Sequence, residues 1–169
     1  MEENKMRLDP QYLHKVGKKL TWDVKEEAKK LYQKYNLELI SLMFEEGGMG
    51  LAANQCGINV QMFVMKRADK TILTCLNPEL IHTEGPWKHP NMVKMAEGCL
   101  SFPGNEMEIE RPDNCHVKFQ DYTGTWQTMD LEGLEARCWL HEYDHCQGIT
   151  MDQRLNNTIT KEEYLYDQA

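Results

Sequence analysis

Apolar residues recur at steps of three and four along the first third of the chain: Val24, Ala28, Leu31, Tyr32, Tyr35, Leu39, Leu42 and Met43. That spacing marks one face of a helix. It predicts a long N-terminal amphipathic helix of about six turns, ending near Glu46 at the Gly47–Gly48 pair. Beyond it the period changes. The runs INVQMFVMKR (58–67) and TILTCLNPEL (71–80) are short, apolar and bounded by turn residues, and predict two strands. HTEGPWKHPNMVKMA (82–96) carries Gly85, Pro86 and Pro90 and reads as a loop. CHVKFQDYTGTWQTMDLEG (115–133) alternates on either side of a turn at Asp121–Gly124, the pattern of a hairpin. A second helix is expected from about Leu134 to Gln147, with Leu134, Cys138 and Trp139 among its apolar positions and Gly148 as its stop. Near the end, Thr160 and Glu163 have the spacing of a capping box and predict a short final helix. No repeat, linker or low-complexity tract interrupts this order, so the expectation is one α+β domain over residues 1–169.

Composition narrows the function classes. Hydrophobic content of 41% and charged content of 27% are ordinary for a globular domain. A net charge of -8 argues against a nucleic-acid partner. No apolar run approaches the roughly 18 residues of a membrane span, and the opening MEENKMRLDP resembles no targeting signal. A cytoplasmic location is therefore expected, and with it reduced thiols. The six cysteines, Cys56, Cys75, Cys99, Cys115, Cys138 and Cys146, contain no CxxC pair. Five of them read as buried thiols acting as small apolar residues.

Chemistry enters at HEYDHCQGITM (141–151). His141 and His145 stand one helical turn apart, so both imidazoles can reach one ion. Glu142 between them completes the HExxH pattern of two metal ligands and a general base. One group of such enzymes follows the pattern with a glycine and then a third His. Here Gly148 is present, but Met151 stands where the third His would be. Glu162 and Glu163 are possible third donors downstream. Upstream, Cys99 in EGCLSFPG (97–104) is another. The stretch GGMGLAANQCG (47–57) packs small residues around Gln55, whose side-chain amide suits an oxyanion hole.

Taken together, three segments resemble the peptide deformylase family. They are Gly48–Met49–Gly50–Leu51–Ala52–Ala53–Asn54–Gln55, then Glu97–Gly98–Cys99–Leu100–Ser101, then His141–Glu142–Tyr143–Asp144–His145 followed by Gly148. Lesser echoes are LNPEL (76–80) and Arg111–Pro112. Departures are Asn54, often Pro or Thr in the family, Cys56, Leu140 in place of a usual Gln, and a short polar tail after His145. None removes a group the chemistry needs.

The resemblance implies small antiparallel or mixed sheets around a central HExxH helix. It implies Cys99, His141 and His145 as ligands of one divalent ion, Fe²⁺ in the cell, with Zn²⁺, Ni²⁺ or Co²⁺ able to substitute. Three protein ligands leave a coordination position open, the mark of a catalytic site. Glu142 would be the general base, with Gln55 and the Leu100 backbone N–H facing the developing oxyanion. Met49, Gly50, Glu97, Leu134 and Cys138 would surround the first substrate residue, with Glu97 alternatively paired to Arg111. The implied substrate is a formyl-methionyl peptide, including nascent chains at the ribosome, and the product is formate. Two rival readings are an HExxH peptidase cutting internal amide bonds, with Glu162 or Glu163 as ligand, and a non-catalytic metal- or redox-sensing protein. Neither needs Gln55.

Overall fold

The computed structural model describes residues 5–21, 26–81 and 90–155. Helix α1 spans Glu26–Glu45 and buries Tyr32, Leu39, Leu42 and Met43. Leu31, expected on the same face, is instead 42% exposed. The helix ends in a Schellman motif: Gly48 N–H bonds the Met43 carbonyl, Gly47 N–H bonds that of Phe44, and Gly47 takes a φ of 71°. Val24 and the capping box at Thr160 and Glu163 lie outside the described residues.

Five strands form one antiparallel sheet in the order β1 (Gly50–Ala52), β2 (Met62–Lys66), β3 (Ile72–Ile81), β6 (Asn114–Gln120) and β7 (Trp126–Glu132). Alternation along β2 divides the core, because successive side chains leave opposite faces of a strand. Met62 and Val64 pack with Leu39, Leu42 and Met43 of α1. Phe63 and Met65 pack with Trp139, Leu140 and Tyr143 of α2 (Gly133–Cys146). Trp139 meets Phe63 edge-on, centroids 5.5 Å apart, and stacks on Tyr143 at 5.2 Å. A bulge between Leu76 and Glu79 breaks the β3–β6 register, and Asn77 takes a φ of 49° there. Its side chain binds both the Leu20 backbone N–H and carbonyl, tying the N-terminal segment to the sheet.

The expected hairpin at 115–133 is β6–β7, turned by Asp121, whose Oδ1 accepts from the N–H groups of Thr123 and Thr125. Two stretches differ from expectation. Residues 92–97 are not loop but strand β4 (Met92–Glu97), which pairs antiparallel with β5 (Met107–Pro112) to make a separate two-stranded sheet. Four consecutive residues of β4 are exposed, so it shows no alternation to read. Residues 50–52, read as part of a loop, join the edge of the main sheet. A short helix α3 (Met151–Leu155), unforeseen, follows the Gly148 turn and packs against β5. Among the described residues, no helix is long and apolar enough to cross a membrane.

Candidate active site

Helix α2 carries His141 and His145 one turn apart, so their rings share a face. Their centroids are 4.9 Å apart and their Nε2 atoms 3.2 Å apart. The β4–β5 connection brings Cys99 in from the other side, Sγ 3.4 Å from His145 Nε2. One donor atom from each of Cys99, His141 and His145 falls within 4.8 Å of the others. Two nitrogens and one sulfur aimed at a common point suit a divalent transition-metal ion.

The ring of His141 is oriented from behind. Its Nδ1 lies 2.9 Å from Glu97 Oε1, which leaves Nε2 to face the cluster. Glu97 is gripped in turn by Arg111, through Nε at 2.6 Å and Nη2 at 3.0 Å, and by Arg137 Nη1. Arg111 continues to Asp144 at 2.8 Å, and Asp144 accepts two bonds from Arg154 of α3. Burial works against the charged form of Glu97. The Arg111 charge and the hydrogen bonds outweigh it and hold the carboxyl well below the ordinary range.

Glu142, next to His141 on α2, lines the cavity as well. It is 4% exposed, and its Oε1 is buried with no hydrogen-bond partner among the described residues. Burial, the largest influence, pushes its pKa up to about 7. Gly50 makes room for it, since a Cβ there would stand 2.7 Å from Glu142 Oε2. Gly48 similarly admits the Leu100 side chain, at 2.7 Å from the same construction. Gln55, on a 3₁₀ turn after β1, accepts from Ala52 N–H at 2.9 Å. Its Nε2 donates to Ser101 Oγ at 3.0 Å and faces Cys99 Sγ at 3.6 Å. Asn54 beside it donates to the backbone carbonyl of His145.

These groups open onto a cavity of about 850 Å³. Every expected pocket residue lines it: Met49, Gly50, Glu97, Leu134 and Cys138, with Leu100 and Gln55 as well. Met49 and Leu134 are 58% and 61% exposed, so they form the rim and not core. Glu97 reaches the cavity wall while both its oxygens are committed to Arg111, Arg137 and His141. Sequence reasoning gave no role to Arg137, Arg154 or Ser101, the last of them read only as a member of a motif. Arg137 had a faint signal, one turn before His141 on the same helix; Arg154 had none.

A sequence profile described as polypeptide deformylase matches residues 8–161. The chain belongs to that family. It is 33% identical to a peptide deformylase from Synechococcus sp. strain RCC307 over 152 residues, 88% of this chain and 71% of the relative. The crystal structure of peptide deformylase from Thermotoga maritima superposes with a TM-score of 0.76 at 33% identity, covering 90% of this chain and 98% of that one. The Synechococcus elongatus enzyme, solved in complex with actinonin, gives 0.74 at 30% identity, over 98% and 85% of the two chains. The chain is thus a deformylase-family enzyme, and the internal-peptidase and sensor readings are not favoured. Glu162 and Glu163, which the peptidase reading requires, lie outside the described residues. Family members depend on a metal ion, and the donor trio fits one: His141 Nδ1 is taken by Glu97, so Nε2 is its only free donor atom.

Proposed function

We propose that this site removes the formyl group from formyl-methionyl peptides, nascent chains at the ribosome among them, by hydrolysis of the formyl amide. One observation carries the reading: the Cys99–His141–His145 trio stands beside a buried carboxylate, Glu142, with one oxygen unpartnered. The three side chains would hold one divalent ion, Fe²⁺ in the cell, with Zn²⁺, Ni²⁺ or Co²⁺ as substitutes. When bound, the ion would supply Lewis acidity for activating water near neutral pH.

The protein residues do the rest. Glu142 takes the proton released by the attacking water and returns it to the departing amine nitrogen, so formate and a free amine leave. Its lack of a competing hydrogen bond keeps the oxygen available. Gln55 Nε2 and the Leu100 N–H donate to the formyl oxygen as it gains charge. Glu97 and Arg111 hold His141 in register. Met49, Gly50, Leu134 and Cys138 receive the methionine side chain, and the actinonin complex of the related structure is consistent with a ligand-binding cavity. A tight site would accept the small formyl hydrogen and reject an acetyl methyl. Residues 1–169 act as one catalytic domain in the cytoplasm.

The test is formate release by the metal-loaded protein from a formyl-Met tripeptide, beside its acetyl analogue. Formate from the formyl peptide alone is expected, with kcat lowered about a thousandfold in Glu142→Ala, within the usual range for a general base. Equal hydrolysis of both peptides, or full activity without Glu142, would overturn the assignment.

A further inference from the structure

The Gln55 amide is fixed at both ends. Its Oε1 accepts from Ala52 N–H at 2.9 Å, which decides which end of the amide is nitrogen. Its Nε2 then has two protons to place, and two neighbours within reach: Ser101 Oγ at 3.0 Å and Cys99 Sγ at 3.6 Å. Gln55 is only 2% exposed and lines the cavity, so its Nε2 protons are met by Ser101, Cys99 and whatever the cavity holds. A side-chain NH₂ carries its two protons in one plane, pointing apart. Holding one on Ser101 therefore sets the direction of the other.

We infer that Ser101 is a positioning residue, whose hydroxyl occupies one Gln55 amide proton so that the other faces Cys99 Sγ and the cavity. Resting on the deformylase reading, this makes Ser101 the group that aims the oxyanion donor. Cys99 and Ser101 sit two residues apart on the same β4–β5 connection, so ligand, aiming group and cavity wall keep their relation if that connection shifts. Without the hydroxyl only the Ala52 bond holds the amide plane, and the donated hydrogen bond loses part of its line to the substrate oxygen. Loss of aim costs less than loss of the donor: on the order of tenfold in kcat, against roughly a hundredfold or more for deleting such a donor.

The test uses the full zinc-loaded chain and its Ser101→Ala, Ser101→Thr, Gln55→Ala and Ser101→Ala/Gln55→Ala variants. Steady-state kinetics on a formyl-Met tripeptide should show Ser101→Ala lowering kcat about tenfold with KM nearly unchanged. Ser101→Thr, which keeps the hydroxyl, should restore most of it. In the Gln55→Ala background the Ser101→Ala change should add nothing further. Independently of turnover, ¹⁵N-correlated NMR should show the Gln55 side-chain amide pair, assigned by its absence in Gln55→Ala, shifting in Ser101→Ala but not in Ser101→Thr. An unmoved amide pair overturns the inference. So does a moved pair with unchanged kcat, or an effect of Ser101→Ala that persists without Gln55. If the wild-type chain releases no formate, the deformylase reading fails, and the amide resonances alone decide whether Ser101 positions Gln55.

Discussion

Gly50 shows how one missing methyl group shapes the site. Its ideal Cβ lies 2.7 Å from Glu142 Oε2 and 2.9 Å from Cγ, closer than real Cβ contacts allow. Gly50→Ala should therefore displace the carboxylate and lower kcat by about tenfold or more, since misplacement on the scale of 1 Å can cost up to a hundredfold. Thermal unfolding of the purified variant should move far less than its turnover. Arg111 makes a different kind of contribution. It is 1% exposed and bridges Glu97 to Asp144, so Arg111→Met takes one buried cation from both carboxylates, leaving Glu97 to Arg137 and His141 and Asp144 to Arg154. The expected loss is about 3–5 kcal/mol, measurable by urea denaturation. The motif residues were legible because their identities and spacing announce ligand chemistry. Arg111 was legible as a partner for Glu97. Arg154 was not, because an arginine reads as ordinary surface until packing shows which carboxylate it meets, and Ser101 was legible as a motif residue but not as the partner of Gln55.

Element α2 is anchored at its start by the β2–β3 turn. Glu135 in its first turn accepts from Arg67 Nε and Nη2, each at 3.2 Å, and from Ala68 N–H at 2.8 Å. The Arg67 bond is the largest of several influences holding its pKa below the ordinary value. A depressed carboxylate contributes stability that is present above its unfolded pKa and lost as pH falls through the folded one. Glu135→Gln should thus cost about 1 kcal/mol or less at neutral pH, as for a partly exposed pair. The gap to wild type should narrow below the usual carboxylate range; a gap constant with pH would sink the attribution. Strand legibility followed apolar runs and alternation along the chain, not burial, since β7 is as exposed as β4. β2, β3, β6 and β7 were read because apolar residues or alternation mark them. β4 escaped because its four consecutive exposed residues, Val93 to Ala96, show no period and follow Gly85, Pro86 and Pro90. β1 escaped because three residues, Gly50 to Ala52, are too few to show one.

At the scale of the molecule, the main sheet, α2 and the β4–β5 ribbon meet only because distant segments converge. Gln55, Cys99 and His141 come from three separate stretches, and their convergence is what makes a site. Their order along the chain was readable; the cavity of about 850 Å³ between them was not, because it depends on how the ribbon lies against α2. Binding an ion to the trio should also couple the three stretches. Chelation should therefore lower the melting temperature, and added metal should raise it with concentration, as linkage requires for a ligand held only by the folded state. The decisive measurement is an anaerobic titration of metal-free protein with ferrous ion, following formate release from a formyl-Met tripeptide. Activity should rise linearly, saturate at one equivalent, and be absent from Cys99→Ala at the same ion concentration. Formate release without added ion, or an undiminished titration after loss of Cys99, would contradict a single reaction centre built on Cys99, His141 and His145.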